Sequence, residues 1–571
     1  MTTHLNVMVA GEAGQGVQSV GFIMTKAFTR GGYHVFADQD YESRVRGGHN
    51  FFRIRVKDAP VGAIAEPLDI LLALNKENID LHRGELAAGG VAIFDGEKVE
   101  DADGNDHLFS VPLEKLAEEK AGSKLMANTV ALGAALGLVG YDFGIVEQLL
   151  RERFGTGETG EGNVRAAGAG YDYVREHFKE DFGGRLGTIG GPGRMLLNGN
   201  EAIALGALAA GCKFVAAYPM TPATSIVEYM AAKAQDLGLV VIQPEDEIAA
   251  INMIIGAGYA GVRAMTTTSG SGFCLMAEGL GLAGITETPV VVVDGQRPGP
   301  AVGLPTRTEQ GDLEFALHAA HGEFPRAVLA PANIEDCFWL TVKAFNLAER
   351  YQIPVILLTD QHLASSYSAV DSFDLSKVTI DRGQIFTGEE TGVLEYKRHR
   401  ITETGISPRA FPGKEGILVA TDSDEHDESG HLTEGAQIRT EMVQKRMRKL
   451  FGLKKEIAEP ELNGPAKADT LLIGWGSTDS AIREAADVLR KEGASISTLH
   501  LRELWPFPAE AVADTLGGAR NSYVIENNAT GQLARLIQRE TGSRITGRVL
   551  KYDGRPFTPA DITQEIKKEG R

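Results

Sequence analysis

The feature that most constrains this chain is a rhythm that starts three times. A short apolar run ends in a glycine- or proline-rich turn, and a longer stretch with helical apolar spacing follows. The first instance is "LNVMVAGEAG" followed by "VQSVGFIMTKAFTRGG", whose glycine pair marks a helix stop. "YHVFAD", "NFFRIRV", "DILLALN" and "GGVAIFD" read as further strands, which predicts an α/β unit with a mostly parallel sheet. The Gly-rich stretch "FGGRLGTIGGPGRM" (Phe182–Met195) then reads as a linker. From Leu196 the rhythm restarts with "GNEAIALGALAAGC" and runs through "VVIQP", "EIAAINMIIGAGYAG", "VRAMTTTS", "TPVVVVDGQ" and "IPVILLTD". A polar, irregular stretch carrying "DSDEHDE" follows, and a third unit opens with "ADTLLIGWGST". At 571 residues the chain is too long for one core. Three α/β domains in series are therefore expected: 1–181, then a linker 182–195, 196–375, an irregular connecting segment 376–465, and 466–571.

Composition excludes several function classes. A net charge of −20 argues against a nucleic-acid footprint. "MTTHLNVMVAGEAG" lacks the charged and apolar regions of a signal peptide, and no apolar run reaches 18 residues, so no membrane span and a cytoplasmic location are expected. Only Cys212, Cys274 and Cys337 occur, without a C-x-x-C. They suit neither a [4Fe–4S] cluster nor a structural zinc site, so no metal site is expected here. Any iron–sulfur centre the chemistry needs must come from another chain.

Five stretches carry chemical candidates. "GEAGQG" (Gly11–Gly16) is a strand-to-helix turn suited to an anion, with Asp38 after the second strand. Its glycines miss the spacing of a dinucleotide site, so tight-turn packing, a phosphate-bearing ligand and NAD remain open. "YESRVRGGHN" offers Arg44 and Arg46 to a phosphate or carboxylate, or to a subunit contact. In "AAYPMTPATSI" two prolines bracket Thr221 at a helix mouth, where it is either a plain N-cap or a ligand contact at the carboxyl end of a strand. Glu245, Asp246 and Glu247 head an apolar helix; capping explains the first two, and Glu247 would be the most deeply placed. "VVVVDGQRPGPAVGLPTRTEQGDL" delivers Arg297 into a loop with Thr306, Arg307 and Thr308, a clamp for a substrate carboxylate or a surface ion pair.

"YPMTP", the helix-head glutamate, "DGQRPGPAVGLPTRTEQGDL" and "HGEFPR" together resemble the α subunit of 2-oxoacid:ferredoxin oxidoreductases. The first 180 residues look like the γ domain of that family fused in front, and 196–375 like its pyrimidine-type thiamine diphosphate domain. "LRELWPFP", "NNATGQLARL" and "KYDGRPFTPADI" look like its transketolase-C-type domain. Met220 stands where the family more often has Ile. The resemblance implies that Thr221 contacts substrate, that Arg297 binds its carboxylate with Thr306 assisting, and that Glu247 hydrogen-bonds the thiamine aminopyrimidine. It implies Gly14, Gly16 and Arg46 as contacts to CoA phosphates.

The G-D-G motif and asparagine pair that hold Mg²⁺ and diphosphate are missing, so the thiamine diphosphate is expected at an interface with a β subunit. That subunit would also carry the [4Fe–4S] clusters, in an (αβ)2 assembly that exchanges electrons with ferredoxin. Fused chains of this type point to 2-oxoglutarate and succinyl-CoA, with Arg307 or a β-subunit residue as the second cation. A pyruvate-type or broad specificity is the alternative. The direction stays open between oxidation and the reductive carboxylation of CO2 fixation in a reductive TCA cycle. Two readings from other classes are an NAD-dependent dehydrogenase and a non-catalytic subunit that carries CoA or docks ferredoxin.

Overall fold

The computed structural model describes residues 4–43, 47–98, 107–179, 182–387 and 396–569. They form two compact units. One contains 1–197, 365–373 and 558–560; the other contains 198–364, 374–557 and 561–571.

Among the described residues, the first unit is built on an eight-stranded sheet. Its order is Leu108–Ser110, Leu86–Phe94, Leu68–Ala73, His4–Ala13, Gly47–Lys57, His34–Asp40, Tyr367–Val370 and Met195–Asn198. The parallel pairing expected from the sequence holds on one side only. The first four strands run parallel, whereas His4–Ala13, Gly47–Lys57, His34–Asp40 and Tyr367–Val370 pair antiparallel. The cause is the connection. Only residues 41–46 join two of these strands, and a link so short permits a hairpin but no parallel crossover. The strand Tyr367–Val370 arrives from far downstream.

On one face of this sheet lies the helix Ala127–Leu138, buried over ten of its twelve residues, against the long helix Glu158–His177. Their contact is backbone on backbone. A Cβ on Gly133 would fall 1.8 Å from the Ala167 carbonyl oxygen, so glycine alone permits it.

The second unit holds a seven-stranded sheet in the order Glu503–Trp505, Ala327–Leu329, Pro354–Asp360, Val290–Gln296, Ala264–Thr268, Phe214–Ala216 and Val240–Ile242. All pairs are parallel except the edge strand Glu503–Trp505. A second sheet orders Glu461–Asn463, Ile496–Leu501, Thr470–Trp475, Asn521–Glu526 and Gly547–Leu550, parallel except at Glu461–Asn463. One residue separates Ile496–Leu501 from Glu503–Trp505, so the chain steps directly from one sheet to the other. A single core runs through both, with Val292, Ile356, Ile473 and Val524 in it.

The connecting segment contains an 18-residue helix, Ala436–Leu453, that the sequence does not reveal. Its buried side includes Lys445 and Lys449, and these charges interrupt the apolar stripe by which a helix is recognised. Among the described residues no helix is long and apolar enough to cross a membrane.

Candidate functional site

Four neighbouring parallel strands of the seven-stranded sheet present their carboxyl ends together. These strands, Val290–Gln296, Ala264–Thr268, Phe214–Ala216 and Val240–Ile242, lead to Arg297, Gly272, Thr221 and Glu247 respectively. Ligands of parallel α/β sheets bind at that edge.

Glu247 is the first residue of the helix Glu247–Tyr259, and Asp246 is the cap, accepting from the Ala249 N–H at 2.8 Å. Capping therefore needs nothing from Glu247. Its side chain is 3 % exposed, and its Oε1 has no hydrogen-bond partner among the described residues. The carboxyl rests against Gly272, where an added Cβ would lie 2.5 Å from Oε1 and 2.2 Å from Thr268 Oγ1. A buried carboxyl without a partner is costly. Polar atoms in that state call for an explanation beyond folding.

Arg297 follows the wholly buried strand Val290–Gln296 and is itself 8 % exposed. Its Nη1 donates to the Thr221 carbonyl at 2.8 Å, while its Nε has no partner among the described residues. Burial lowers the guanidinium from its usual range. Thr221 is not the cap of the next helix, Thr224–Ala232. Ala223 holds that position without a side-chain hydrogen bond. Asn200 fixes the turn, donating at 2.7 Å to both the Pro222 carbonyl and Ser225 Oγ.

The loop beyond Arg297 is clamped to the end of the chain. Gln310 N–H donates to the Asn527 carbonyl at 2.6 Å, Asn527 N–H donates back to Gln310 Oε1 at 3.0 Å, and Asn528 Nδ2 donates to the Gln310 carbonyl at 3.1 Å. The "NNATG" stretch thus holds the "TEQGD" stretch. Thr306 is buried in this loop. Arg307 packs against Gly554, and burial with the nearby Arg555 charge brings its guanidinium down to about 10.

Two acids that sequence reasoning passed over lie in the same region. Asp294 lies within the strand Val290–Gln296, three residues before Arg297, is fully buried, and has no partner for either carboxyl oxygen among the described residues. Burial and the Asp312 charge push it well above the usual carboxylate range, and burial raises Asp312 to about 6. A lone carboxylate in "VVVVDG" was the available signal. Gly270 lies against Asp312 as Gly272 lies against Glu247: an added Cβ there would sit 2.5 Å from Asp312 Oδ2.

In the first unit, Gly14 and Gly16 take positive φ of 95° and 79° in the turn before the helix Val17–Arg30. Space around Gly14 is open, whereas a Cβ on Gly16 would strike Asn128 Nδ2 at 2.0 Å. Asp38 is salt-bridged to Arg53 at 2.7 Å. Arg44 and Arg46 lie outside the described residues.

A carboxyl and a guanidinium, both buried and both incompletely bonded at one sheet edge, are the equipment of an enzyme for an anionic substrate. Comparison with known proteins narrows this. Residues 205–445 match a family described as pyruvate flavodoxin/ferredoxin oxidoreductase, thiamine diP-binding. Residues 6–173 match pyruvate ferredoxin/flavodoxin oxidoreductase, and 468–562 match pyruvate:ferredoxin oxidoreductase core domain II. A Sulfolobus 2-oxoacid:ferredoxin oxidoreductase subunit alpha is 32 % identical, covering 99 % of this chain and 97 % of the relative. The 2-oxoglutarate oxidoreductase subunit KorA of Mycobacterium tuberculosis is 30 % identical, covering 93 % and 87 %. A solved structure of 2-oxoglutarate:ferredoxin oxidoreductase from Magnetococcus marinus, with 2-oxoglutarate, coenzyme A and succinyl-CoA bound, is 33 % identical. It superposes with a TM-score of 0.93 over 100 % of both chains. The chain belongs to the family of 2-oxoacid:ferredoxin oxidoreductase α subunits.

Proposed function

We propose that this chain is the α subunit, with its γ domain fused in front, of a 2-oxoglutarate:ferredoxin oxidoreductase. It would convert 2-oxoglutarate, CoA and oxidised ferredoxin to succinyl-CoA, CO2 and reduced ferredoxin. Residues 1–181 form the γ domain, 196–375 the pyrimidine-type domain and 466–571 the transketolase-C-like domain, with 182–195 and 376–465 as connections. A β subunit supplies Mg²⁺, diphosphate contacts and [4Fe–4S] clusters in a cytoplasmic (αβ)2 assembly.

The observation that carries this reading is the buried Oε1 of Glu247 beside Gly272, without a partner among the described residues. A carboxyl so placed fits the ring nitrogen of an aminopyrimidine, and the glycine leaves room for the carboxyl itself. Thiamine diphosphate, when bound, supplies the electron sink for the carbanion left by CO2 loss. Glu247 holds a proton between its Oε1 and the ring nitrogen, in a dry site where the interaction is strong. Arg297, whose Nε has no partner among the described residues and whose proton affinity is lowered by burial, takes the carboxylate of the 2-oxoacid. Its bond to the Thr221 carbonyl ties guanidinium and threonine into one unit, so Thr221 meets the same substrate. Thr306 assists, and Arg307 takes the distal carboxylate. Gly14, Gly16 and Arg46 are contacts to CoA.

The choice of 2-oxoglutarate is supported by the Magnetococcus relative; pyruvate-type or broad specificity is the alternative. The test is co-expression with a candidate β subunit and assay of viologen reduction with 2-oxoglutarate, pyruvate or 2-oxoisovalerate, each with CoA. Turnover is expected with 2-oxoglutarate and only in the presence of both chains. Activity of this chain alone overturns the reading, and preference for pyruvate moves it to the alternative.

A further inference from the structure

Between Gln296 and Asp312 the chain leaves the seven-stranded sheet and returns to it, carrying Arg297, Thr306 and Arg307 on the way. Gln296 ties the two ends together. Its Oε1 accepts from the Asp312 N–H at 3.0 Å, while its Nε2 donates to the Thr359 carbonyl at 3.0 Å. Asp294 projects from the same face of Val290–Gln296 as Gln296, two positions on, so the bond to Gln296 brings Asp312 back beside Asp294. Asp312 stands at the cap position of the helix Leu313–His318 but makes no side-chain cap bond, and its Oδ2 is buried without a partner among the described residues. Helix capping thus uses neither carboxyl, and among the described residues no cation faces either of them.

Two bare carboxylates side by side in a dry interior repel one another, so at most one is ionised near neutral pH. Asp294 is fully buried and Asp312 only half-buried, which makes Asp294 the costlier place for a charge. The proton therefore stays on Asp294 and the charge on Asp312. The titratable groups near the pair are Cys274 on the helix Gly270–Leu275 and Glu309 in the stretch itself. Both are acids, raised first by burial and then by the Asp312 charge, so neither offsets it. A protonated carboxyl donates one O–H and a carboxylate accepts it, and such charge-assisted bonds are among the strong ones.

We propose that Asp294 donates this O–H to Asp312, and that the shared proton fastens residues 297–311 in the shape that binds the 2-oxoacid. The two acids are then positioning residues for Arg297, Thr306 and Arg307. The inference rests on the reading of this chain as a 2-oxoacid oxidoreductase subunit. Its pH dependence has one sign. When the pair gives up its last proton to solvent at alkaline pH, the donor is gone, the two charges repel, and the stretch loosens. An amide in place of the Asp294 carboxyl is a donor that never ionises, so it holds the stretch at every pH.

Amide hydrogen exchange over 298–311 in the full chain reads the fastening without a β subunit, cofactor or substrate. At about pH 7.5, exchange is expected to be about ten-fold faster in Asp294→Ala than in the unaltered chain, and unchanged in Asp294→Asn. As pH rises, the unaltered chain should exchange progressively faster than Asp294→Asn compared at the same pH. In the assembled enzyme, KM for the 2-oxoacid should rise about ten-fold in Asp294→Ala. It should also rise at alkaline pH in the unaltered enzyme but not in Asp294→Asn, with KM for CoA unmoved in all three. Equal exchange in the three chains, or a gap between the unaltered chain and Asp294→Asn that is the same at every pH, overturns the proposal. Exchange as expected with KM for the 2-oxoacid unmoved removes the positioning role. Exchange as expected in an assembly that turns over no 2-oxoacid keeps the shared proton and counts against the proposed function alone.

Discussion

Glu247 and Glu287 are buried glutamates of the same unit, 3 % and 0 % exposed, and they teach opposite lessons. Glu287 is surrounded. Lys445 Nζ lies 2.5 Å from Oε1, Lys449 Nζ lies 2.6 Å from Oε2, and His399 Nδ1 lies 3.0 Å from Oε1. Burial alone would raise this carboxyl, but the two lysines and His399 hold it well below the usual range. Its work is to anchor the helix Ala436–Leu453 to the turn that carries it. Glu247 has no such company. Its Oε1 has no partner among the described residues, and its neighbour is a glycine. Burial of an acid is therefore no sign of function in itself; what separates the two is whether folding has satisfied the charge.

The largest effect expected is on stability, in Glu287→Gln. Removing the carboxylate leaves Lys445 and Lys449 buried against each other, which costs about 4 kcal/mol. Chemical denaturation or loss of soluble chain would show it. Glu247→Gln should do the reverse: turnover with 2-oxoacid falls about a hundred-fold, and the melting temperature holds or rises. If the two variants lose stability equally, the distinction collapses and Glu247 is a structural residue.

How much of this was legible in the sequence follows from how local each feature is. Glu247 could be read at the head of an apolar helix, and Arg297 at the end of an apolar strand, because each signal spans a few residues. Gly272 and Asn200 could not be read, since their meaning lies in atoms they approach across the fold. The helix Ala436–Leu453 was hidden by Lys445 and Lys449, whose counter-charge sits more than 150 positions earlier in the chain. The hairpin that turns half the first sheet antiparallel was visible only as a six-residue gap. Periodicity gave the layers, and pairing across the chain gave the chemistry.

Arg297 sharpens the comparison from the cationic side. Lysine keeps the charge but loses the planar fork that donates to the Thr221 carbonyl and that the proposed function assigns to the substrate carboxylate. Arg297→Lys should raise KM for the 2-oxoacid about ten-fold and leave KM for CoA nearly unchanged. Equal KM for the 2-oxoacid in both proteins would mean that Arg297 only holds the turn.

The smallest expected effect is a pH dependence, and it separates the two kinds of buried acid by sign. Asp312 is raised from 3.8 to about 6 in the folded chain. As pH climbs past 3.8 the unfolded chain ionises first, so Asp312 subtracts stability progressively until about pH 6 and by a constant amount above. Asp294, raised further, extends the loss to higher pH. Glu287, lowered, contributes stability that is present above its unfolded value of 4.5 and lost as pH falls below it. Asp312→Asn should therefore melt a few degrees higher than the unaltered chain at pH 7.5, and the two should converge towards pH 4. Melting curves across that range would decide it. A difference that does not change with pH would mean that a cation, and not a proton, neutralises the Asp294–Asp312 pair.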